Sequence, residues 1–221
     1  MKIIDISGPI YDGVWNYGGE CKPFKFGKVK ISYAGVKYEL DSLENMLAMT
    51  GTYFESCGDY HNYTIDDIPI EKLFMINSYA LQIPYEKLQL VDNRPCIFLD
   101  DFKKAEKGGI PTGSGIIIAT GYGKNWCKKD YVAKCPFLAK ETMDYLIDKK
   151  PFIVVWDTPA AENDVHPENI FERYFKANII SVTACVNLEK IKKYNVKLVV
   201  MPLKLLKVKL ACPARAFIIE E

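Results

Sequence analysis

The chain has 221 residues, of which 49% are hydrophobic and 26% are charged, a composition typical of a globular protein and not of a disordered one. Its 29 Lys and Arg residues nearly cancel its 28 Asp and Glu residues, which leaves a net charge of +1. Such a balance creates no overall field that would attract nucleic acid or an anionic membrane. We therefore expect neither of them as a partner.

The first hundred residues predict strands joined by long loops. Short apolar or alternating runs predict strands at 2–6, 26–33, 36–40, 72–80 and 95–99. The second and third runs flank the turn residues Ala34 and Gly35, so together they predict a hairpin with one wet face. The polar, aromatic segment 15–23 predicts a loop, and the pattern at 83–88 favours a helix.

The rest of the chain predicts alternating strands and helices. The buried-type strands 116–120 and 151–156 enclose a helix at 136–150, with Pro136 in its first turn, which predicts parallel pairing of the two strands. A second helix is predicted at 168–176. Further apolar runs predict strands at 179–183, 196–202 and 216–219. The sequence therefore predicts one α/β domain over 1–221, with a mixed sheet and flanking helices.

Cysteine and histidine usage limits the chemistry and indicates the compartment. Seven cysteines without a C-x-x-C pair predict reduced thiols in a chain of this size. The N-terminal apolar run is broken by Asp5 and Gly8, so we expect neither a secretory signal nor a membrane anchor, and a cytoplasmic location. Only His61 and His166 are available, too few for a histidine-rich zinc site.

Acidic and hydroxyl side chains are densest between residues 50 and 67. If 52–57 is extended, Tyr53 and Glu55 point to one face, and Asp59 and His61 could join them. These groups could hold a metal through oxygen and one imidazole, or act as a metal-free acid and base. The alternative is a polar loop whose Asp and Ser residues make turns and caps.

The segment 49–59, MTGTYFESCGD, resembles the HxGTHxDxPxH signature of the cyclase family, which includes bacterial kynurenine formamidase and isatin hydrolase. The segments IIDISGPIYDG, TIDDIPIEKL, ATGYGKNW, WDTPAAEN and VVMPLKLLKVKLACPARAFII are similar to the family's pattern in the same order. This resemblance implies a swivelling β/β/α fold, assembly as a homodimer or homotetramer, and hydrolysis of a small amide, formamide or lactam with a divalent metal.

Position by position, the resemblance implies that the usual metal ligands are replaced. The family's His, His, Asp, Pro and His fall on Met49, Tyr53, Glu55, Cys57 and Asp59, and its further His and Glu fall on Phe171 and Thr183. Methionine and phenylalanine offer nothing useful to Zn²⁺ or Mn²⁺. Two alternatives remain: one oxygen-rich metal held by Glu55, Asp59 and His61, which favours Mg²⁺ or Mn²⁺ over Zn²⁺, or a metal-free pocket.

Two functions follow from this resemblance. In a hydrolase of a small cyclic or N-acyl amide, Glu55 activates water, Asp59 assists, and Tyr53 donates a hydrogen bond to the developing oxyanion. In a binding or regulatory protein, the pocket persists without metal or catalysis. We expect the small-molecule substrate or ligand to be contacted by Thr50, Cys57, His61, Tyr122 and Trp126. A Cys57 thiol beside His61 could also be a nucleophile, the alternative being a small buried hydrophobe.

Overall fold

The computed structural model describes residues 1–221, which form thirteen strands and four α-helices. The strands are β1 (Lys2–Asp5), β2 (Lys25–Tyr33), β3 (Val36–Glu44), β4 (Tyr53–Glu55), β5 (Ile76–Gln82), β6 (Leu90–Val91), β7 (Arg94–Ile97), β8 (Gly115–Ala119), β9 (Phe137–Leu138), β10 (Ile153–Trp156), β11 (Ile180–Thr183), β12 (Asn195–Pro202) and β13 (Ala211–Glu220). The helices are α1 (Gly58–His61), α2 (Leu99–Ala105), α3 (Lys140–Asp148) and α4 (Ile170–Lys176). This is the α/β class with a mixed sheet that the sequence predicts.

Eight strands form the central sheet, in the order β1-β13-β12-β5-β8-β10-β11-β4. The short strand β4 also pairs with the first residues of β13, so the sheet closes on itself and only β1 lies outside the ring. Closure removes free sheet edges and places the residues of β4 between two neighbouring strands.

The parallel strands at the centre follow from their composition. Ile116, Ile117, Val154 and Val155 are all fully buried, and β8 runs parallel to β10 with Ile116 opposite Val154. β-Branched residues pack well on a sheet that is covered on both faces. The predicted parallel pairing of 116–120 with 151–156 is confirmed.

Two predicted elements, the helix at 136–150 and the strand at 95–99, are present, but their boundaries are wrong where a strand and a helix adjoin. Residues 137 and 138 do not begin the helix at Pro136 but form β9, paired in parallel with Cys96 and Ile97, and α3 begins at Lys140. In the run at 95–99, β7 ends at Ile97 and α2 begins at Leu99, and the apolar pattern did not predict this helix. At 137 and 138, burial of the apolar side chains in a strand pair outweighs the helical pattern.

Several predicted boundaries also move. The helix expected at 83–88 is only a 3₁₀ turn at Tyr85–Lys87, and the strand expected at 72–80 begins at Ile76, after a 3₁₀ turn at Ile70–Leu73. The last strand extends from the expected 216–219 to Ala211–Glu220 because it pairs with β4, β12 and β1 in succession.

The predicted hairpin is present as a separate ribbon of β2 and β3, paired from Lys25 opposite Glu44 to Tyr33 opposite Val36. The expectation of one wet face is incomplete, because no residue of either strand is buried. We call residues 25–44 the ribbon.

None of the helices has the length and apolar character needed to cross a membrane. All seven cysteines are free thiols, as predicted, and five of them are buried.

Asp157 joins the carboxyl ends of β8 and β10. Its Oδ1 accepts hydrogen bonds from the Thr120 hydroxyl at 2.6 Å and the Thr120 N–H at 3.1 Å, and its Oδ2 accepts the Gly121 N–H at 2.7 Å. Burial raises the pKa of this carboxyl to about 6, although the hydrogen bonds oppose the rise. Asp157 therefore fixes the start of the loop that carries Tyr122 and Trp126.

This raised pKa predicts a pH dependence of stability. An acid whose folded pKa lies above its unfolded value binds more protons when folded, so its contribution is present below the unfolded value, 3.8, and is lost as pH rises to about 6. The free energy of unfolding of the wild type should fall across this window by up to about 3 kcal/mol through this group. Asp157→Asn should flatten that decline in urea titrations, and an unchanged slope would contradict the assignment.

Candidate active site

The alternation of side chains along an extended strand places the candidate groups. Thr52 is anchored because its hydroxyl donates to the Ala184 carbonyl at 2.7 Å and accepts the Gly8 N–H at 2.8 Å. Gly51 adopts φ 80°, a left-handed conformation that favours glycine, and a side chain there would meet Ile10. From this turn β4 starts with Phe54 in the main core, while Tyr53 and Glu55 share the other face, as predicted.

Glu55 is buried, 7% exposed, and lies among hydroxyl groups. Its Oε2 accepts hydrogen bonds from Ser181 Oγ at 2.9 Å and Thr183 Oγ1 at 2.8 Å, on the neighbouring strand β11. The Thr183 oxygen itself accepts the indole N–H of Trp156 at 2.9 Å. Burial raises the pKa of Glu55, and the hydrogen bonds from Thr183 and Ser181 partly oppose the rise. A carboxyl with a raised pKa exchanges protons closer to neutral pH than an ordinary glutamate.

Tyr53 forms a short hydroxyl pair with Tyr17, with 2.5 Å between the two oxygens. Tyr17 donates its single proton to the Pro159 carbonyl at 2.9 Å, so Tyr53 is the donor within the pair. Burial, followed by the nearby charge of Glu55, raises the pKa of Tyr53 well above its usual value. The phenol therefore stays protonated and remains a hydrogen-bond donor.

Asp59 and His61 do not join Glu55. Both lie on α1 with exposed side chains, whereas Glu55 is buried. His61 Nε2 lies 3.0 Å from the Phe175 carbonyl, which makes that nitrogen the protonated one and leaves it no lone pair for a metal. No group of three or more His, Cys, Asp or Glu side chains is arranged to hold a metal ion anywhere in the chain.

The Cys57 side chain is fully buried, which favours the interpretation as a small buried hydrophobe over that of a nucleophile. Its thiol donates to the Ile179 carbonyl at 2.9 Å, and burial raises the pKa of the thiol to about 12. A thiol with so high a pKa is almost wholly protonated at neutral pH and is a weak nucleophile.

The predicted contact residues Thr50, Tyr122 and Trp126 are buried and have partners within the chain. The Thr50 hydroxyl accepts the Leu47 N–H at 2.8 Å, the Tyr122 hydroxyl donates to the Tyr131 carbonyl at 2.8 Å, and the Trp126 indole donates to the Pro9 carbonyl at 2.9 Å. Tyr122 and Trp126 belong to the same buried aromatic cluster as Tyr53. Their rings shape the site, and their polar atoms are already hydrogen-bonded within the chain.

A cavity of about 740 Å³ opens beside this cluster. Its lining includes Tyr11, Trp15, Tyr17, Trp126, Lys128 and Lys129. The Trp15 indole nitrogen is buried and has no hydrogen-bond partner within the chain. An orphaned buried donor is costly, so a carbonyl or carboxylate of a bound molecule would satisfy it.

The match to a protein family decides the relationship of this chain to known proteins. Residues 4–163, well over half of the 221, match the family model described as "Putative cyclase". The chain belongs to the Cyclase family. The resemblance to the cyclase family is thereby confirmed, and the segment 49–59 that includes β4 lies within the matched residues.

Solved structures share the fold over the whole chain. Isatin hydrolase A from Ralstonia solanacearum is 15% identical with a TM-score of 0.78, covering 100% of this chain and 92% of its own. A "predicted metal-dependent hydrolase" from Bacillus stearothermophilus is 20% identical with a TM-score of 0.72, covering 98% and 97%. A "potential metal-dependent hydrolase with cyclase activity" is 20% identical with a TM-score of 0.74, covering 100% and 99%. A search of curated proteins finds no sequence match.

Two of these neighbours are described as metal-dependent, but the donors in this chain do not fit a divalent metal. Met49 packs with the aromatic cluster, the Tyr53 proton is given to Tyr17, and Phe171 packs against Trp156. Of the ligand positions, only Glu55 keeps a buried charged group, and one carboxylate does not hold a divalent ion.

Sequence reasoning missed the partners of Glu55 and Tyr53. Thr183 was identified only as a lost ligand, yet its hydroxyl donates to Glu55. Ser181 and Glu55 are 126 residues apart, and only the pairing of β4 with β11 brings them together. Tyr17 lies in a loop without a periodic pattern, and no signal in the sequence connects it to Tyr53.

Proposed function

We propose that this Cyclase-family chain hydrolyses a small amide, formamide or lactam with Glu55 as the acid–base group and without a metal held by protein side chains. The observation that carries the proposal is the buried Glu55, with its raised pKa and hydroxyl network, in the family's signature segment. The isatin hydrolase neighbours support cleavage of an amide C–N bond.

The proposed reaction begins at Glu55. No group of the protein donates to its Oε1, since both of its hydrogen bonds are made by Oε2. Oε1 takes a proton from a water molecule, and the water oxygen attacks the substrate carbonyl. When the tetrahedral intermediate collapses, the C–N bond breaks and Glu55 returns the proton to the leaving nitrogen, which restores the carboxylate.

Tyr53 is proposed to stabilise the charge that develops on the carbonyl oxygen. Its proton is directed at Tyr17 in the free protein, and rotation about the C–O bond re-aims it at a substrate oxygen. Tyr17 lines the 740 Å³ cavity, so the substrate would approach the pair from that side. Asp59 is exposed on α1 and has no role in the proposed reaction.

The second candidate is a ligand-binding protein without turnover. Two observations favour it. The side chains of this chain do not form a site for the metal that the neighbours' descriptions name. The Trp15 indole N–H beside the cavity also has no hydrogen-bond partner. A binding protein would show a raised melting temperature with ligand, because a ligand that binds only the folded state stabilises it. It would hydrolyse none of a panel of aryl formamides, N-acyl amides and small lactams.

A tyrosine variant tests the proposed donor. With a panel of aryl formamides, N-acyl amides and small lactams, Tyr53→Phe should lower kcat about 100-fold because one oxyanion donor is lost. Tyr145→Phe is the control, since the Tyr145 hydroxyl donates to Glu106 on the α2–α3 side and contacts no site residue. Equal kcat values for wild type and Tyr53→Phe would refute the role of Tyr53.

A further inference from the structure

The cavity beside the aromatic cluster has walls made of aromatic rings. Trp15 packs edge-on against Tyr17, with 5.6 Å between ring centroids, and against Trp126, with 5.2 Å, and all three side chains line the cavity. Its volume of about 740 Å³ lies in the range of pockets that bind small organic molecules. A planar aromatic group of a ligand would pack against these rings.

The charged side chains at the cavity leave an excess of positive charge. Only Lys128, Lys129 and Asp164 among the lining residues are charged. The Asp164 carboxylate is already paired with the buried Arg94 guanidinium at 2.7 Å. Neither lysine forms an ion pair, and the next acidic residue along the chain, Asp130, is paired with Lys134. Two ammonium groups therefore remain without a counter-ion.

The polar atoms of the aromatic walls differ in whether they have a partner. The Tyr17 hydroxyl donates to the Pro159 carbonyl, and the Trp126 indole donates to the Pro9 carbonyl, each at 2.9 Å. The buried Trp15 indole nitrogen has no partner. The uncommitted side-chain groups at the cavity therefore include one N–H donor and two cations, and all three favour a negatively charged acceptor.

We propose that this cavity binds an aromatic carboxylate, with Lys128 and Lys129 pairing with the anion and the Trp15 indole donating to one of its oxygens. A carboxylate has two oxygens, so the indole and the ammonium groups need not compete for the same one. The lysine side chains are exposed and lie at the opening, whereas Trp15 is half-buried in the wall. We expect the indole to close on the ligand once the anion is bound.

The anion site names a substrate class for the proposed reaction. Tyr17 lines the cavity, and its hydroxyl lies 2.5 Å from the hydroxyl of Tyr53. A ligand whose ring lies against the cavity wall would have its carboxylate toward the lysines and an amide toward Tyr17 and Tyr53. The substrate would then be an N-acylated aromatic amine that also carries a carboxylate. The amide part of this inference rests on the proposed function, whereas the anion site is argued from the cavity alone.

Binding to a variant without turnover tests the anion site. Isothermal titration of full-length Glu55→Gln would compare 3- and 4-acetamidobenzoate with the matching acetamidobenzamides, which have the same amide and ring but no charge. The carboxylates should bind about 10-fold more tightly at low ionic strength, the effect of two exposed ion pairs. This preference should shrink in about 0.5 M salt, because exposed charges are screened.

Variants of the lining residues locate the anion. Replacing both lysines, by Lys128→Gln and Lys129→Gln, should make the two kinds of compound bind equally. Lys107→Gln is the matched control and should keep the preference, since Lys107 is exposed and lies outside the cavity. Trp15→Phe keeps an aromatic ring without the N–H and should weaken carboxylate binding roughly 10-fold, as expected for loss of a hydrogen bond to a charged group.

The outcomes separate this proposal from the proposed reaction. Equal dissociation constants for the carboxylates and the amides, or no binding of either, would overturn the anion site. A preference that survives the loss of both lysines would also overturn it. If the wild type hydrolyses neither compound while the preference for carboxylates persists in binding, the anion site is supported and the hydrolysis is not. Matching melting temperatures of the lysine variants, whose side chains are exposed, would show that folding is intact.

Discussion

A Glu55→Gln variant is expected to lose 10²- to 10⁴-fold in kcat, about the contribution of a positioned acid–base group. Glutamine keeps an oxygen that accepts the Ser181 and Thr183 hydroxyls, but it cannot take a proton from water. Since burial already disfavours the charged form of Glu55, the neutral amide should change the free energy of unfolding by less than about 1 kcal/mol. Kinetics and urea titration of the same preparation measure the two effects.

The matched control is Glu106→Gln, which should change the free energy of unfolding but not kcat. Glu106 is a partly buried carboxylate that accepts the Tyr145 hydroxyl at 2.8 Å and pairs with Lys149 at 2.7 Å, away from the site. Its loss should lower stability and leave kcat unchanged. Full activity in Glu55→Gln would end the proposal of Glu55 as the acid–base group.

The pH profile gives the same proposal a second, independent test. As a general base, Glu55 must be ionised in the free enzyme, so kcat/KM should rise with pH through its raised pKa and then level off. The residual activity of Glu55→Gln should lack this limb. If kcat/KM of the wild type is instead flat through the acid range, another group supplies the base.

The sequence predicts the site best where the pattern is local. Alternation alone places Tyr53 and Glu55 on one face of β4, and the buried runs at 116–120 and 151–156 predict adjacent parallel strands. A local pattern does not show which distant strands pair with each other. For this reason the Ser181 and Thr183 hydroxyls were not expected beside Glu55. The environment that raises the pKa of Glu55 is built by those non-local neighbours.

The ribbon illustrates the opposite error. Alternation correctly predicts two paired strands, but it carries no information on what lies against the apolar face. A hairpin pattern leads one to assume that Val29, Ile31 and Leu40 face the core of the same chain, whereas all three are exposed. The amphipathic pattern predicts that a face is covered, and only the structure reveals that this chain does not cover it.

Trp156→Ala is expected to have the largest effect on stability. Trp156 is 1% exposed, packs against Tyr174 at 5.6 Å between ring centroids, and donates its indole N–H to Thr183. Removing a fully buried indole leaves a cavity and costs about 4 kcal/mol of unfolding free energy, which corresponds to roughly 8–16 °C in melting temperature.

Trp15→Ala is the control of the same residue type. Trp15 is only half-buried, its indole N–H has no partner, and it lines the cavity, so its removal should cost about 1–2 kcal/mol. The two variants should therefore differ in which quantity changes. Trp156→Ala should mainly lower the free energy of unfolding. Trp15→Ala should mainly raise KM, because the unpartnered donor beside the cavity is lost. Equal losses of stability in urea titrations would mean that the loop carrying Trp15 belongs to the folding core, and that its indole is not held free for a ligand.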